Sequence, residues 1–541
     1  MRLDGTIVWP IPDLGLPPSV LRTVRPRDAA ATQPIHVLFG SCRVAAPHEP
    51  PWTLQLAMDE RGRGVDAYHA HAMRMADQPV ERWPDLMVWL GDQVYADDSS
   101  PVARERIAER RATTPAHERL PPELVDGFEE FTWLYHESWS SPWERWLLSV
   151  VPSVMIFDDH DMIDDWNISD TWVADIRRED WWSDHVVGGL MTYWLYQHLG
   201  NLSPDDIDEE GILAALLAAD DGEAILRDWA MQSEQFTPVP GGYRFSVARD
   251  LGAVKVVVID SRNGRVLEPG ARAIVDDTEW GWIVDQCNVE VDHLLIGSSL
   301  PVFVPGAMHD AQRWSEAVID GAWGHWPGVQ QRWVERLRRA IDMEDWPAFS
   351  RSFESLVEMI GALASGRDLP APASISVLSG DIHFSYHARI HYPVAAGLTA
   401  PVHQLVNSPI RNALTPPEKL GMRIAMSPGA ALAARALRRS TGLRRTPLRW
   451  RMDHGPVWDN CIGKLMFLGR DASVSVERAS ADADGNPVLE VAFVADLTGS
   501  ATPPRVVSRP QAAGTALAGR IHASIDRIAR RRRSGGSATS R

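Results

Sequence analysis

Short runs of consecutive apolar residues recur along the chain from residue 34 onward, and each ends in small or polar side chains. The runs are Ile35–Phe39, Leu86–Leu90, Val150–Phe157, Val254–Ile259, Leu294–Ile296 and Ile375–Leu378. Continuous apolar runs are typical of strands that are covered on both faces of a sheet. Helix-like segments lie between them, at 65–77, 102–111, 186–199, 207–231 and 329–343. This alternation predicts an α/β fold.

The residues just past these runs are the candidates for chemistry. They are Cys42 and Arg43, Asp92, Asp158 to Asp161, Arg262, and Asp381 with His383. In open α/β sheets, ligands bind at the carboxyl ends of the strands. We therefore expect these side chains to form one composite site.

Composition excludes some classes of function. The net charge of −18 argues against sequence-independent nucleic-acid binding, which needs a basic face. Three scattered cysteines form no disulfide framework and fit a reducing compartment. The N-terminus lacks a basic segment followed by an apolar stretch, so the chain as written is expected to be cytoplasmic.

The segment 503–541 has a different character from the rest of the chain. It is rich in Arg and then in Gly and Ser, and 512–530 could form a helix. We interpret it as a solvated, partly disordered tail. Contact of this basic stretch with anionic lipid or nucleic acid is the alternative.

The string that follows Leu86–Leu90 is Gly91-Asp92-Gln93-Val94-Tyr95-Ala96-Asp97. A carboxylate at a strand end can bridge two cations, one oxygen to each, which makes Asp92 a candidate bridging ligand. Tyr95 lies near Asp92 if the loop begins a helix. A phenolate oxygen suits a hard, highly charged ion such as Fe³⁺, so Tyr95 is a candidate ligand.

A second string, residues 158–165, holds five acids and His160 within eight positions. Such clustering is costly without a cation or arginine partners. A solvated acidic loop is the alternative, but the preceding apolar run and two flanking aromatic residues, Phe157 and Trp166, should draw the loop inward. We therefore expect a metal-binding or catalytic role for this segment, with Asp159 as a ligand.

Two shorter strings complete the set. Asp381 and His383 alternate, so in extended backbone their side chains point the same way and could bind one ion. Cys42 is followed by Arg43, and a thiolate beside an arginine and a metal is favoured and could act as a ligand. Cys287 and Cys461 lack such context and are expected to be inert and buried.

Four of these strings, GSCR, GDQVYADD, IFDDHDMIDDWN and SGDIHFSYHA, closely resemble the alkaline phosphatase D (PhoD-like) branch of the calcineurin-like metallophosphoesterases. The resemblance spans roughly residues 34–500. Further likeness lies in VIDSRNGR (258–265) and QLVNSPIRN (404–412). It implies a metallophosphatase sandwich of two mixed β-sheets flanked by helices, over a catalytic domain at 34–502.

The resemblance also implies a ligand set and metal ions. Tyr95 stands where the wider superfamily has a metal-binding Asp, Asp159 where it has Asn, and Asp381 where it has His. Cys42 is the apparent substitute for a first motif that is absent. These departures are those of the PhoD-like branch, and they imply Fe³⁺ with Ca²⁺, although other divalent metals remain open. Oxygen-rich ligation independently favours hard ions.

The implied activity is hydrolysis of phosphate monoesters or diesters by in-line attack of metal-bound hydroxide. Asp92 would bridge the metals, His160 would stabilise the transition state or protonate the leaving oxygen, and Arg43 would clamp the phosphate. Arg262 could clamp phosphate or pair with an acid. Asp158 and Asp161 would orient ligands or bind Ca²⁺.

Two alternatives to this function stay open. One is a phosphodiesterase that acts on phospholipid or nucleotide, with the basic tail as a membrane anchor. The other is a non-catalytic metal-binding protein on the same scaffold. The expected partner is a small phosphate ester, and the oligomeric state is not predicted.

The segment 1–33 is expected to be the remnant of an N-terminal β-sandwich domain, which members of this family often carry. Gly5–Trp9 and Ser19–Arg25 are predicted as its last two strands, joined by a Pro-rich turn. A strand pair without sheet partners leaves an unpaired edge. Met1 is therefore expected to be a misassigned start, and an export signal could precede it. A genuine short form whose hairpin docks on the catalytic domain is the alternative.

Overall fold

A computed structural model describes residues 2–3, 6–7, 15–115, 120–235, 243–324 and 329–499. The predictions for the tail at 503–541 lie outside these residues. Most of the segment that was expected to be catalytic, 34–502, is therefore described.

The N-terminal segment differs in part from the sequence prediction. Two short strands, β1 (Arg2–Leu3) and β2 (Thr6–Ile7), pair with each other in an antiparallel hairpin. The predicted strand at Ser19–Arg25 is wrong, because these residues form no strand. Arg22 and Arg25 instead bind the carboxylate of Asp85, at 3.2 and 2.5 Å. These ion pairs hold the segment against the α/β domain rather than against a partner strand.

The first large sheet contains six strands. They are β3 (Ile35–Gly40), β4 (Leu86–Leu90), β5 (Ser153–Ile156), β13 (Cys461–Leu468), β14 (Asp471–Ala481) and β15 (Pro487–Asp496). Their order is β15-β14-β13-β3-β4-β5. The last three in this order are parallel, and β13 to β15 are antiparallel, so the sheet is mixed.

The second large sheet contains seven strands. They are β6 (Val247–Asp250), β7 (Val254–Ile259), β8 (His293–Ser298), β9 (Ser374–Ser379), β10 (Ser385–His391), β11 (Val402–Val406) and β12 (Arg449–Val457). Their order is β12-β10-β11-β9-β8-β7-β6. The strands β7, β8, β9 and β11 are parallel, while β6, β10 and β12 are antiparallel to their neighbours.

Helices cover the outer faces of both sheets. Within the described residues they are α1 (Ala67–Ala76), α2 (Pro101–Arg110), α3 (Gly127–Trp139), α4 (Pro142–Val150), α5 (Asp170–Ile176), α6 (Trp182–Tyr196), α7 (Pro204–Glu210), α8 (Ile212–Ala218), α9 (Glu223–Gln235), α10 (Asp277–Cys287), α11 (Gly306–Ile319), α12 (Val329–Ala340), α13 (Ser350–Ser365), α14 (Pro416–Ala425) and α15 (Pro428–Ser440).

One predicted helix proves to be three. The pattern at 207–231 predicted a single helix, but the chain forms α7, α8 and α9 there. Gly211 separates the first two with φ of +68°, a left-handed conformation that ends a helix at little cost for glycine. The helix is interrupted at residues such as glycine that disfavour helix, and a prediction from the spacing of apolar residues does not take these into account.

The core has two kinds of layer. Between the sheets, Val37 and Val88 of the first sheet pack in one cluster with Val256, Leu295 and Leu405 of the second. On the outer face of the first sheet, α1 and α4 pack over β3 and β4. On the outer face of the second, α10 and α13 pack over β7, β8 and β9. The predicted sandwich of two mixed sheets flanked by helices is confirmed.

The described helices include none with the length and apolar character needed to cross a lipid bilayer.

Candidate metal centre

The two sheets bring their functional strand ends together at one edge. Cys42 follows β3, Asp92 follows β4, and Asp381 follows β9 of the other sheet. The backbone N–H of Cys42 donates to the carbonyl of Gly91 at 3.3 Å, and its thiol lies 3.6 Å from the carbonyl of Asp381. The three strand ends are therefore in direct contact.

Unusual backbone geometry is concentrated at this edge. Cys42, Asp92, Asp381 and His383 have φ values of +58°, +51°, +65° and +53°. Residues other than glycine rarely adopt this conformation, and such strain is characteristic of functional sites. At Gly91, an added Cβ would lie 2.4 Å from the Cβ of Asp158, so only glycine allows the two loops to approach.

A first group of ligand atoms combines sulfur, nitrogen and oxygen. Donor atoms of Cys42, Asp92 and His383 lie within 4.8 Å of one another. Burial, and then the charges of Asp92 and Asp381, raise the pKa of the Cys42 thiol well above its usual range. The sulfur is therefore a thiol in the absence of a cation and a thiolate ligand when one is bound.

His383 is prepared to bind a cation through one ring nitrogen. Its Nδ1 lies 2.7 Å from the carbonyl oxygen of Asn412, so Nδ1 carries the proton and Nε2 the lone pair. Burial lowers the pKa of His383 to about 4, which keeps the imidazole neutral near neutral pH. A neutral imidazole is the form that binds metals.

Tyr95 borders the same group. Its hydroxyl donates to Oδ2 of Asp92 at 3.3 Å and accepts a hydrogen bond from the Asn412 side chain at 2.9 Å. Burial, and then the charge of Asp92, raise the pKa of the phenol well above its usual range. Asn412 thus contacts two of the predicted ligands, Tyr95 and His383.

A second group of ligand atoms consists of carboxylates alone. Oxygens of Asp92, Asp158 and Asp159 lie within 4.8 Å of one another. One buried oxygen of Asp92, Oδ1, and one of Asp158, Oδ2, make no hydrogen bond, and Oδ1 of Asp159 is met by the guanidinium of Arg262 at 3.0 Å. Burial raises the pKa of Asp92 well above its usual range; the charge of His160 opposes this shift, and the charges of Asp158 and Asp159 add to it.

The residues that meet here fit a bound metal ion. Buried polar atoms without partners are costly, and a cation would satisfy several of them at once. Thiol, imidazole, carboxylate and phenol together form a donor set that suits transition-metal ions, and the purely carboxylate group suits hard cations. We name the seven residues that meet here the metal centre: Cys42, Asp92, Tyr95, Asp158, Asp159, Asp381 and His383.

Asp161 orients the loops of this centre. Its carboxylate accepts the backbone N–H groups of Asp92 at 2.8 Å, Gln93 at 3.1 Å and Asp158 at 2.9 Å. Both oxygens are used in this way. Of the two roles that the sequence left open for Asp161, the geometry favours that of an orienting residue over that of a cation ligand.

Arg262 lies fully buried behind the centre. Its guanidinium contacts four carboxylates: Asp158 and Glu344 closely, Asp159 at 3.0 Å and Asp381 at 3.7 Å. The geometry therefore favours pairing with acids, the second of the two roles considered for this residue. Arg265 also pairs with Glu344, at 3.2 Å, so two arginines face four carboxylates and the protein neutralises these acids only in part.

His160 lies at the more open side of the centre. Its Nδ1 is 2.9 Å from Asp97, and its ring centroid lies 4.8 Å from that of Tyr95, with the two rings tilted by 31°. Burial acts to lower the pKa of His160, but the charge of Asp97 and the hydrogen bond to it hold that pKa well above its usual range. The ring is therefore protonated and can donate from Nε2.

Arg43 does not have the position that a phosphate clamp requires. All three guanidinium nitrogens are engaged: Nε with Asp66 at 2.9 Å, one terminal nitrogen with Ser138 at 2.9 Å, and the other with Asp66 and Glu144. The physical reason is that Asp66, the N-cap of α1, and Glu144 of α4 supply the buried carboxylates with which this guanidinium pairs. The clamp role predicted for Arg43 is therefore corrected to a structural one.

Two histidines complete the surroundings of Arg43. Nε2 of His48 and Nδ1 of His69 lie 3.1 and 3.0 Å from the same oxygen of Glu144, and their rings stack at 3.7 Å. Ser141 donates to the other oxygen of Glu144. We name Arg43, His48, Asp66, His69 and Glu144 the scaffold cluster. Its donor atoms are close enough to hold a metal, but protein hydrogen bonds already satisfy its carboxylates.

Sequence reasoning missed the roles of Asn412 and Glu344. The string QLVNSPIRN, at 404–412, shows a family likeness, but the sequence alone indicates no function for Asn412. Glu344 lies between Asp342 and Asp345 in an acidic stretch that follows no predicted strand. The signal available was the acid cluster at 342–345, since such a cluster also needs a cation or arginine partner.

The fold and the site together define a class: an α/β sandwich protein with a candidate metal centre at the carboxyl ends of its strands. The family model described as PhoD-like phosphatase matches residues 64–197. The match confirms, for this segment, the resemblance that the motifs indicated. The matched segment contains Asp92, Tyr95, Asp159 and His160.

One solved structure, described as "Structure of PhoD", is similar to this chain at 11% sequence identity with a TM-score of 0.46. The similarity covers 87% of this chain and 71% of that one. No curated protein sequence matches the chain.

Proposed function

We propose that this chain hydrolyses phosphate monoesters, phosphate diesters or both, with metal ions held at the metal centre. The observation that carries this proposal is the position of Asp92. Its carboxylate belongs to both groups of ligand atoms, the one with Cys42 and His383 and the one with Asp158 and Asp159. A carboxylate between two ligand groups can bridge two cations, the arrangement used in many phosphoesterases.

The proposed ions are Fe³⁺ and Ca²⁺. The group with the thiol and imidazole would hold the iron, with Tyr95 beside it, and the carboxylate group would hold the calcium. When bound, such ions supply positive charge to the phosphoryl oxygens and make a water molecule acidic enough to attack near neutral pH.

The residues of the chain contribute positioning and a proton. Asp161 fixes the loop that carries Asp92, and Arg262 holds Asp158, Asp159 and Asp381 toward the centre. His160 is protonated beside Asp97 and is the proposed donor to the leaving oxygen.

The proposal is tested with the purified full chain, whose metal content is measured by mass spectrometry. Hydrolysis of p-nitrophenyl phosphate and of bis-p-nitrophenyl phosphate is measured before chelation, after it, and after iron and calcium are restored. We expect activity to disappear on chelation and to return with the metals. A chain that binds metal but turns over neither ester would instead be a non-catalytic metal-binding protein.

The proposed iron ligand has its own spectroscopic test. Tyr95→Phe should remove any visible tyrosinate-to-iron charge-transfer band from the iron-loaded protein. Tyr196→Phe is the control, because Tyr196 is partly exposed and lies on α6. Colour that persists in Tyr95→Phe would exclude Tyr95 as the ligand.

A further inference from the structure

A strongly basic stretch lies within this acidic chain. Residues 416–451, which include α14 and α15, carry nine basic residues and a single acid, Glu418. The basic residues are Lys419, Arg423, Arg435, Arg438, Arg439, Arg444, Arg445, Arg449 and Arg451. Since the whole chain has a net charge of −18, this segment is a local reversal of sign.

The same segment exposes large apolar side chains. Leu420 and Ile424, one turn apart on α14, are 58% and 61% exposed, and Leu432 on α15 is 68% exposed. Leu432 shares a face of α15 with Arg435 and Arg439, which lie three and seven residues further on. Helices that lie in a membrane interface bury apolar side chains such as Leu and carry Arg on their polar face.

Four arginines of this surface have no ion-pair partner among the described residues. Among the residues that the structure describes, Arg435, Arg439, Arg444 and Arg445 form no ion pair, and Arg438 alone on α15 is buried and paired, with Asp310. Other exposed arginines differ in this respect: Arg178 pairs with Asp175 and Arg351 with Asp277, for example. The positive charge of α15 therefore remains available to an external anionic partner.

The basic surface adjoins the metal centre. The inner side of α14 packs Met422 and Met426 against the cluster that contains Phe384 and Ile382, the neighbours of His383. Asn412, which contacts Tyr95 and His383, precedes the N-cap of α14, Thr415, by three residues. α14 and α15 contact each other and are separated by two residues.

We propose that α14 and α15 dock this protein on the surface of an anionic lipid bilayer. Exposed Leu and Ile would insert among the acyl chains, and the unpaired arginines would bind the lipid phosphates. A nucleic acid would use the arginines but has no need of the exposed aliphatic side chains. A second copy of this chain would place two basic surfaces against each other. The proposal rests on this surface and not on the proposed hydrolysis.

The test uses the full chain and flotation with vesicles. Vesicles of pure phosphatidylcholine are compared with vesicles that contain equal parts of phosphatidylcholine and phosphatidylglycerol, at low and at high salt. Two double variants probe the surface: Leu420→Asp with Leu432→Asp, and Arg435→Glu with Arg439→Glu. The matched controls are Leu217→Asp with Met58→Asp, at exposed apolar positions elsewhere, and Arg178→Glu with Arg351→Glu, which makes the same change in net charge.

We expect binding to the anionic vesicles, weaker binding at high salt, and a loss of about tenfold or more in partitioning for each surface variant but not for its control. Equal binding of surface and control variants would overturn the proposal and would assign any membrane contact to another segment, such as the basic tail. The proposal is also overturned if the wild-type chain ignores both vesicles, or if Leu432→Asp converts a dimer to a monomer in light scattering.

Discussion

Two buried charge clusters lie on opposite sides of the loop that follows β3, and they differ in how their acids are balanced. In the scaffold cluster, Asp66 and Glu144 are met by Arg43, His48 and His69. In the metal centre, Arg262 pairs with Asp158, Asp159 and Asp381, and buried oxygens of Asp92 and Asp158 are left without hydrogen bonds. In the first cluster protein groups satisfy the buried acids, whereas in the second they do so only in part.

One acid from each cluster, Glu144 and Asp381, shows the same difference in its pKa. Burial acts to raise the pKa of Glu144, but His69 and His48 hold that pKa well below its usual range. For Asp381, burial and the charges of Asp158 and Asp159 raise the pKa well above its usual range. If only the proximity of acids and histidines were considered, both clusters would count as candidate metal sites. The balance of charge distinguishes a structural cluster from one that requires cations.

The largest expected effect is on stability and belongs to the scaffold cluster. Arg43→Met would leave Asp66 and Glu144 without their arginine in a buried environment. Breaking a buried ion pair from one side costs about 3–5 kcal/mol, and we expect this loss in the free energy of unfolding, measured in urea. Metal content per folded molecule should be unchanged. A loss of metal without a loss of stability would show that Arg43 belongs to the metal centre.

The next effect is on activity and belongs to the metal centre. Asp92→Asn should keep the fold and lower kcat toward bis-p-nitrophenyl phosphate by at least ~10²-fold, equivalent to about 2.7 kcal/mol. In the metal-free protein this variant should be no less stable than the wild type, because burial already disfavours the charged form of Asp92 and asparagine carries no charge. Near-normal turnover would exclude the proposed mechanism.

Asp66→Asn is the matched control for that variant, since Asp66 is an equally buried aspartate of the scaffold cluster. It pairs with Arg43 and also caps α1 by accepting the N–H groups of Tyr68 and His69. We expect this variant to lose stability and to keep its turnover per folded molecule. If both aspartate variants lost the same property, the distinction between the clusters would fail.

A smaller effect is expected at Asn412, which contacts two predicted ligands. Asn412→Ala removes the hydrogen bond to Tyr95 but keeps the backbone carbonyl that binds His383. Loss of such an orienting contact costs about tenfold in metal affinity, at the low end of the usual range. Metal titration followed by spectroscopy measures it, with Asn486→Ala in an exposed hairpin turn as the control. Identical affinities for the two variants would mean that Asn412 does not position Tyr95.

The apolar pattern of the sequence located the strands that carry the site. Leu86–Leu90 and Val254–Ile259 coincide with β4 and β7, because a strand buried on both faces must be apolar throughout. The strand-end acids followed from these positions. The contacts of Arg43 and Arg262 did not follow, because they depend on which partners the fold brings from distant segments. Glu344 is 82 residues from Arg262 in the sequence, and no local pattern joins them.

The smallest expected effect concerns two neighbouring acids outside the metal centre, Asp260 and Glu279. Here a proton on Glu279, rather than a cation, would relieve the repulsion between the two carboxylates. Burial, and then the charge of Asp260, raise the pKa of Glu279 from 4.5 to about 8. Between these values the folded chain keeps a proton that the unfolded chain has lost, so stability falls as the pH rises from about 4.5 to about 8. Glu279→Gln removes this dependence. We expect the free energy of unfolding of the variant, measured in urea on metal-free protein, to match that of the wild type near pH 4.5. Near pH 8 we expect it to be higher than that of the wild type by at least ~1 kcal/mol. Glu209→Gln, at an exposed position of α7, should show no such trend. A difference between Glu279→Gln and the wild type that stayed constant with pH would mean that Glu279 is ionised in the folded protein, and a proton would then not balance this pair.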